Sequence, residues 1–183
     1  MKSALAGHET GQCPGHSEAE ALGYIEAIHL EMESEYPETT KEYYRARGMD
    51  FIGIGGERMV FALCDEHVLK IDYGDLDANA REGQVWDEAD AELRQFLAPV
   101  FDYGGSETMS WLVAGRCDEY AGERPSWMRS GTETALGDTY GGNVGIYDGR
   151  LVLLDYPMSR SEVREFRESL GLAVEPTVVE AGL

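Results

Sequence analysis

At 183 residues, 43% hydrophobic and 27% charged, the chain has apolar content for one core or two small abutting ones, and no apolar run long enough for a membrane-spanning helix. The 35 Asp and Glu stand against 15 Lys and Arg, a formal charge of −20, so neither nucleic-acid backbones nor anionic membranes are expected partners. A high-salt cytoplasm tolerates so acidic and lysine-poor a surface, because molar salt shortens the Debye length to about 3 Å; a halophile or its virus is the expected source, and an acidic-ligand sensor the alternative.

Met1 to His16 reads as a flexible leader. His8, Cys13 and His16 form a Cys-x-x-His fragment there with no second half for a zinc site. Ser17 to Glu35 is a capped amphipathic helix ended by Pro37, with His29 on its apolar face beside Leu22, Ile25 and Met32, and Thr39 to Arg47 is a second helical segment. The three cysteines, Cys13, Cys64 and Cys117, are odd in number and widely spaced, which argues against a disulfide framework and for a reducing, cytoplasmic compartment.

Phe51 to Leu63 reads as strand, glycine turn, strand. Glycines such as Gly53, Gly55 and Gly56 suit a loop whose backbone amides approach phosphates, and Val60 just beyond could roof an adenine ring. A hairpin at Asp65-Glu66 then leads into Val68-Leu69-Lys70-Ile71. Alternation puts Lys70, one of three lysines, on the face of Val68 in an otherwise apolar strand. An edge-strand lysine reaching for water is the plainer alternative.

A helix is expected from about Ala78 to Ala98, with Val85, Trp86, Ala89, Leu93, Phe96 and Leu97 on one side and Glu82 near the middle of that side. A carboxylate there needs a cation such as Lys70, since burying it unpaired costs several kcal/mol on the order seen for lone buried charges. Asn79-x-x-Glu82 also fits a helix-capping box. Glu88 lies off the stripe and is expected in solvent. Strands follow near Val100-Phe101 and Trp111 to Val113, joined across Gly104-Gly105.

Gly137-Asp138-Thr139-Tyr140-Gly141-Gly142-Asn143 precedes two strand-like runs, Val144 to Ile146 and Leu151 to Leu154, around an Asp148-Gly149 turn. Such a loop can aim Asp138 at an attacking hydroxyl and Asn143 at a metal, while the hairpin returns Asp155 to that metal; ordinary turn chemistry explains the same residue types. A last helix, Glu162 to Leu170, is capped by Ser159-x-x-Glu162 and stopped by Gly171.

With these residues in place the chain resembles the protein-kinase-like superfamily, its aminoglycoside and choline kinase branch more than its Ser/Thr/Tyr branch. Gly53-x-Gly55 and Val60 look like the glycine-rich loop, Lys70 like the strand-three lysine and Glu82 like its helix partner. Asp138 looks like the catalytic aspartate, and Asn143 and Asp155 like the metal ligands. The G-D-x-x-x-G-N form of 137–143 is similar to that of small-molecule kinases. The chain also resembles very compact kinase-like proteins of tailed viruses and archaea.

The resemblance implies an α+β, minimal kinase-like fold: leader and N-terminal helices over 1–48, an antiparallel-sheet N-lobe with one packed helix over 49–120, and a strongly reduced C-lobe over 121–183. It implies ATP and Mg²⁺ as cofactors, a nucleotide as ligand, and transfer of the γ-phosphoryl group to a hydroxyl of an unspecified acceptor, with a nucleotide-binding pseudokinase scaffold as the alternative. Departures from the pattern are Leu136 for His, Arg58 for a third loop glycine, Tyr140 for a phosphate-contacting cation, and Tyr156-Pro157 after the metal aspartate. Only Ala121 to Leu136 separates the hinge that the resemblance implies, Val113 to Tyr120, from the catalytic loop, too few residues for a pair of long helices, so a protein partner covering the reduced lobe is a further expectation.

Overall fold

The computed structural model describes residues 50–54, 58–72, 77–105, 110–123, 125–128 and 143–174. Expectations placed on the leader and first helices, on Gly55 and Gly56, on Leu136, Gly137, Asp138 and Tyr140, and on the tail beyond Val174 lie outside the described residues.

The fold is α+β, as expected, with one helix packed on an antiparallel sheet and a second, smaller sheet beyond it. Strands β1 (Asp50–Ile54), β2 (Arg58–Ala62), β3 (His67–Asp72), β4 (Val100–Gly105) and β5 (Ser110–Gly115) form an antiparallel sheet in the order β1-β2-β3-β5-β4. The β2–β3 register places Val60 opposite Lys70 and Arg58 opposite Asp72. Since residues paired across an antiparallel ladder share a face, Arg58, Val60, Lys70 and Asp72 line one side of the sheet. β3 lies between β2 and β5 and is not an edge, so the snorkelling alternative for Lys70 does not apply.

Helix α1 (Ala78–Glu88) packs on that side. It is shorter than the periodicity predicts. Ala89 turns extended (ψ 133°), and Asp90 Oδ1 accepts the amide of Leu93 at 2.8 Å, which starts a separate 3-10 turn at Leu93–Phe96. A side chain that captures a backbone amide in this way competes with helix continuation, yet Leu93 and Leu97 stay buried because the following turn keeps them facing the core. The start of α1 is capped from a distance: Asp72 Oδ2 accepts the Asn79 amide at 3.0 Å and the Ser110 hydroxyl at 2.6 Å.

The second sheet joins β6 (Asp118–Glu119), β7 (Val144–Tyr147) and β8 (Arg150–Leu153) in that order. Asp148 (φ 51°) and Gly149 (φ 72°) both take left-handed backbone, as a two-residue hairpin loop requires. Helix α2 (Arg160–Ser169) carries the expected reciprocal Ser159/Glu162 capping box, and Gly171 at φ 70° follows its end.

One core runs through both sheets. Val85, Leu93 and Leu97 meet Leu112 and Ala114 of the larger sheet, Val144, Val152 and Leu153 of the hairpin, and Tyr156, Met158 and Phe166 beyond it. The opposite face of the larger sheet buries Phe51, Met59, Phe61, Leu69, Ile71, Trp111 and Val113. The sheets are also joined by backbone: the Ala98 amide donates to Leu153 O at 2.9 Å, and the Tyr156 hydroxyl donates to Ala98 O at 2.5 Å. Among the described residues no helix is long and apolar enough to cross a membrane. One cysteine departs from expectation: Cys64 is disulfide-bonded, while Cys117 is a free thiol.

Candidate functional site

Alternation along β3 turns Lys70 toward α1, and the helical stripe turns Glu82 toward β3. The two meet: Lys70 Nζ donates to Glu82 Oε1 at 2.6 Å, with Glu82 fully buried and Lys70 7% exposed. Glu82 is therefore not a capping residue, and the N-cap, Asp77, makes no side-chain cap bond. Asn79, the other half of the expected box, instead donates to Lys70 O at 3.3 Å and Ser110 O at 3.0 Å. Tertiary partners outcompete the local cap because both side chains point into the core.

Sequence reasoning missed a second cation. Arg58, 6% exposed, donates from Nη1 to Glu82 Oε2 at 2.5 Å and to Asn79 Oδ1 at 3.2 Å, and its Nη2 makes a charge contact with Asp155 Oδ1 that lacks hydrogen-bond geometry. Its parity with Val60 was the available signal, since a residue two positions away along a strand lies on the same face.

Asp155 arrives from the other side. It follows β8, whose neighbour Leu154 bonds through its amide to Asn143 O at 2.8 Å and through its carbonyl to Lys70 Nζ. The hairpin thus brings Asn143 and Asp155 to its open end, with Asp155 against the Lys70–Glu82–Arg58 cluster. Their donors are oxygens, the set that suits a hard divalent cation such as Mg²⁺. Among the described residues no group of three or more His, Cys, Asp or Glu could hold a metal ion.

Electrostatics follow from burial. Loss of water pulls the Lys70 ammonium down to about 8 from its ordinary 10.5; Glu82 opposes that shift and Arg58 adds to it. Burial alone would raise the Glu82 carboxyl, but Lys70 and Arg58 together hold it below its ordinary value. At neutral pH Lys70 therefore remains an ammonium and Glu82 a carboxylate.

Of the other expected residues, Val60 is half-buried on the Lys70 face, and Gly53 lies in β1. A Cβ at Gly53 would meet no described atom within 4 Å, so crowding by described residues does not demand glycine there. Glu88 is exposed, with Arg160 at 3.7 Å, as its place off the stripe predicts.

No family model matches this sequence, and no curated protein matches it. Among solved structures, the chain is similar to that described as "Co-crystal structure of WbdD and kinase inhibitor LY294002", at 15% identity and a TM-score of 0.40. The match covers 66% of this chain and spans 37% of the length of the other.

Proposed function

We propose that the chain is an ATP- and Mg²⁺-dependent phosphotransferase of minimal kinase-like form. The observation that carries this reading is the buried Lys70–Glu82 pair, with Asp155 delivered to the same cluster by the second sheet. A buried ion pair is weak evidence for stability, because desolvation offsets most of its Coulomb gain; its place beside an open carboxylate suits a phosphate-binding role better. In this reading Lys70, held by Glu82, orients the α- and β-phosphates, while Asn143 and Asp155 hold the metal and Val60 covers the base. Gly53, Gly55 and Gly56 let backbone approach the phosphates. Bound Mg²⁺ would neutralise charge building on the phosphate oxygens. Asp138 accepts the proton as the acceptor hydroxyl bonds to the γ-phosphorus and the bond to the ADP oxygen breaks. The acceptor is a hydroxyl on a protein or small molecule.

The second reading is a non-catalytic nucleotide-binding scaffold. It is favoured by Arg58, which already engages Asp155.

The test is thermal unfolding of the full chain in molar KCl with and without Mg²⁺-ATP. At about a hundred times its dissociation constant the nucleotide should stabilise the fold by roughly 2.7 kcal/mol, raising Tm by several degrees. Asp155→Asn should diminish the shift. No shift at millimolar Mg²⁺-ATP in the wild type, or an undiminished one in Asp155→Asn, overturns the assigned cleft.

A further inference from the structure

Arg58 has no part in the reaction just described, yet it touches the helix glutamate and the proposed metal aspartate at once. Its two ends differ. Nη1 is fixed by two acceptors on α1, Glu82 Oε2 and Asn79 Oδ1, both on fully buried residues. Nη2 faces the buried Oδ1 of Asp155, while the Asp155 side chain as a whole is 41% exposed, so this end of the guanidinium lies behind a carboxylate that solvent reaches from its other side. The position itself is the first of β2, on the face that carries Lys70.

A divalent cation on Asp155 would bring a second positive charge against Nη2 on the same carboxylate. Like charges sharing one carboxylate repel, so the guanidinium must turn away from the oxygen the metal takes. The fixed Nη1 end limits where it can go. A guanidinium presents its donors in a planar fork that suits phosphate oxygens, and this one shares the face of Lys70.

We propose that Arg58 is an exchangeable phosphate-binding residue: it holds Asp155 in the empty site and, anchored on Glu82 and Asn79, turns Nη2 to a nucleotide phosphate oxygen when a divalent metal takes Asp155. This rests on the nucleotide-binding reading above, not on catalysis, and applies equally to enzyme and scaffold. It supplies a cation for the phosphates where Tyr140 offers none. It also makes metal and nucleotide binding cooperative, because the metal frees the arginine that the nucleotide uses.

The experiment titrates AMP-PNP, at several fixed Mg²⁺ concentrations, into the full-length wild type, Arg58→Met and Arg58→Lys by calorimetry in molar KCl. In parallel, the Arg58 side-chain Nε–H resonance of the wild type is followed by NMR. Loss of one charge-assisted phosphate contact predicts affinity for Mg²⁺-AMP-PNP about tenfold to a hundredfold weaker in Arg58→Met, with Arg58→Lys between. The Mg²⁺ midpoint should move lower in Arg58→Met, where nothing competes for Asp155. The wild-type Arg58 resonance should move as Mg²⁺ takes Asp155, move further when AMP-PNP joins it, and stay in place with AMP-PNP alone. A wild type that binds Mg²⁺-AMP-PNP with the Arg58 resonance unmoved overturns the exchange alone, as does Arg58→Met with unchanged affinity and midpoint. A wild type that binds no nucleotide overturns the reading beneath it. The NMR arm uses only wild-type protein, so the exchange stays falsifiable if a variant fails to fold.

Discussion

Arg58 and Glu82 meet at 2.5 Å with their side chains 7% and 0% exposed, so the helix glutamate is shared between two cations and not dedicated to Lys70. That sharing sets the order of mutational costs. Glu82→Gln leaves two buried cations short of their counter-charge and should cost about 3–5 kcal/mol. Lys70→Met leaves Glu82 with Arg58 and should cost less. Because the groups touch, Lys70→Met with Glu82→Gln should fall short of the summed singles by about 0.5–3 kcal/mol. Urea unfolding at constant salt measures all three. An additive double mutant, or a near-neutral Glu82→Gln, would show that the pairing contributes nothing to the fold.

A pH dependence follows from Lys70, drawn down to about 8 by burial and by Arg58 against the pull of Glu82. The folded chain releases this proton near pH 8, whereas the unfolded chain keeps it to about 10.4, so between those values the unfolded state binds more protons. Stability should therefore rise with pH through that window relative to Lys70→Met, and show no contribution of this kind below it. Nucleotide affinity should move the other way, since a neutral amine holds phosphate poorly. The check is the urea midpoint of both proteins from pH 7 to 10.5. Parallel curves would mean that Lys70 titrates as if it were in water.

Enzyme and scaffold part at Asp138. If the chain transfers phosphate, Asp138→Asn should leave Mg²⁺-ATP affinity nearly intact, since a general base need not ligate the metal, while transfer falls by about 10² to 10⁴. ATP turnover and autophosphorylation at high salt, then a screen of hydroxyl compounds and proteins, provide the readout. Transfer that survives the substitution unchanged would refute Asp138 as the base. Confirmed nucleotide binding with no transfer across the screen favours the scaffold.

The contact between Lys70 and Glu82 was legible in the sequence because two independent periodicities converged on it. Alternation fixed the face of one residue and the 100° helical step fixed the face of the other. The hairpin at Asp148-Gly149 and the Ser159/Glu162 cap were legible for a local reason, since each is written in adjacent residues. The end of α1 was not. Apolar spacing continues through Leu93 and Leu97, and a single carboxylate, Asp90, decides that the chain breaks there. Arg58 and Asp72 stayed hidden because their partners are 24 and 38 residues away, at Glu82 and Ser110, and only the register between β2 and β3 brings them to one face. Local pattern gives elements and faces; register and the choice among buried partners belong to tertiary packing.

Leu153 and Leu154, on the side of the second sheet, hand their successive carbonyls to two points on the side of the larger one, the first to the amide of Ala98 and the second to the ammonium of Lys70. Swinging the two sheets apart would rupture both bonds together, and would drag the Arg58–Asp155 contact with them. Breathing between the halves is therefore concerted and infrequent, and exchange of the Ala98 amide with heavy water should be slow and should keep pace with the deepest core amides.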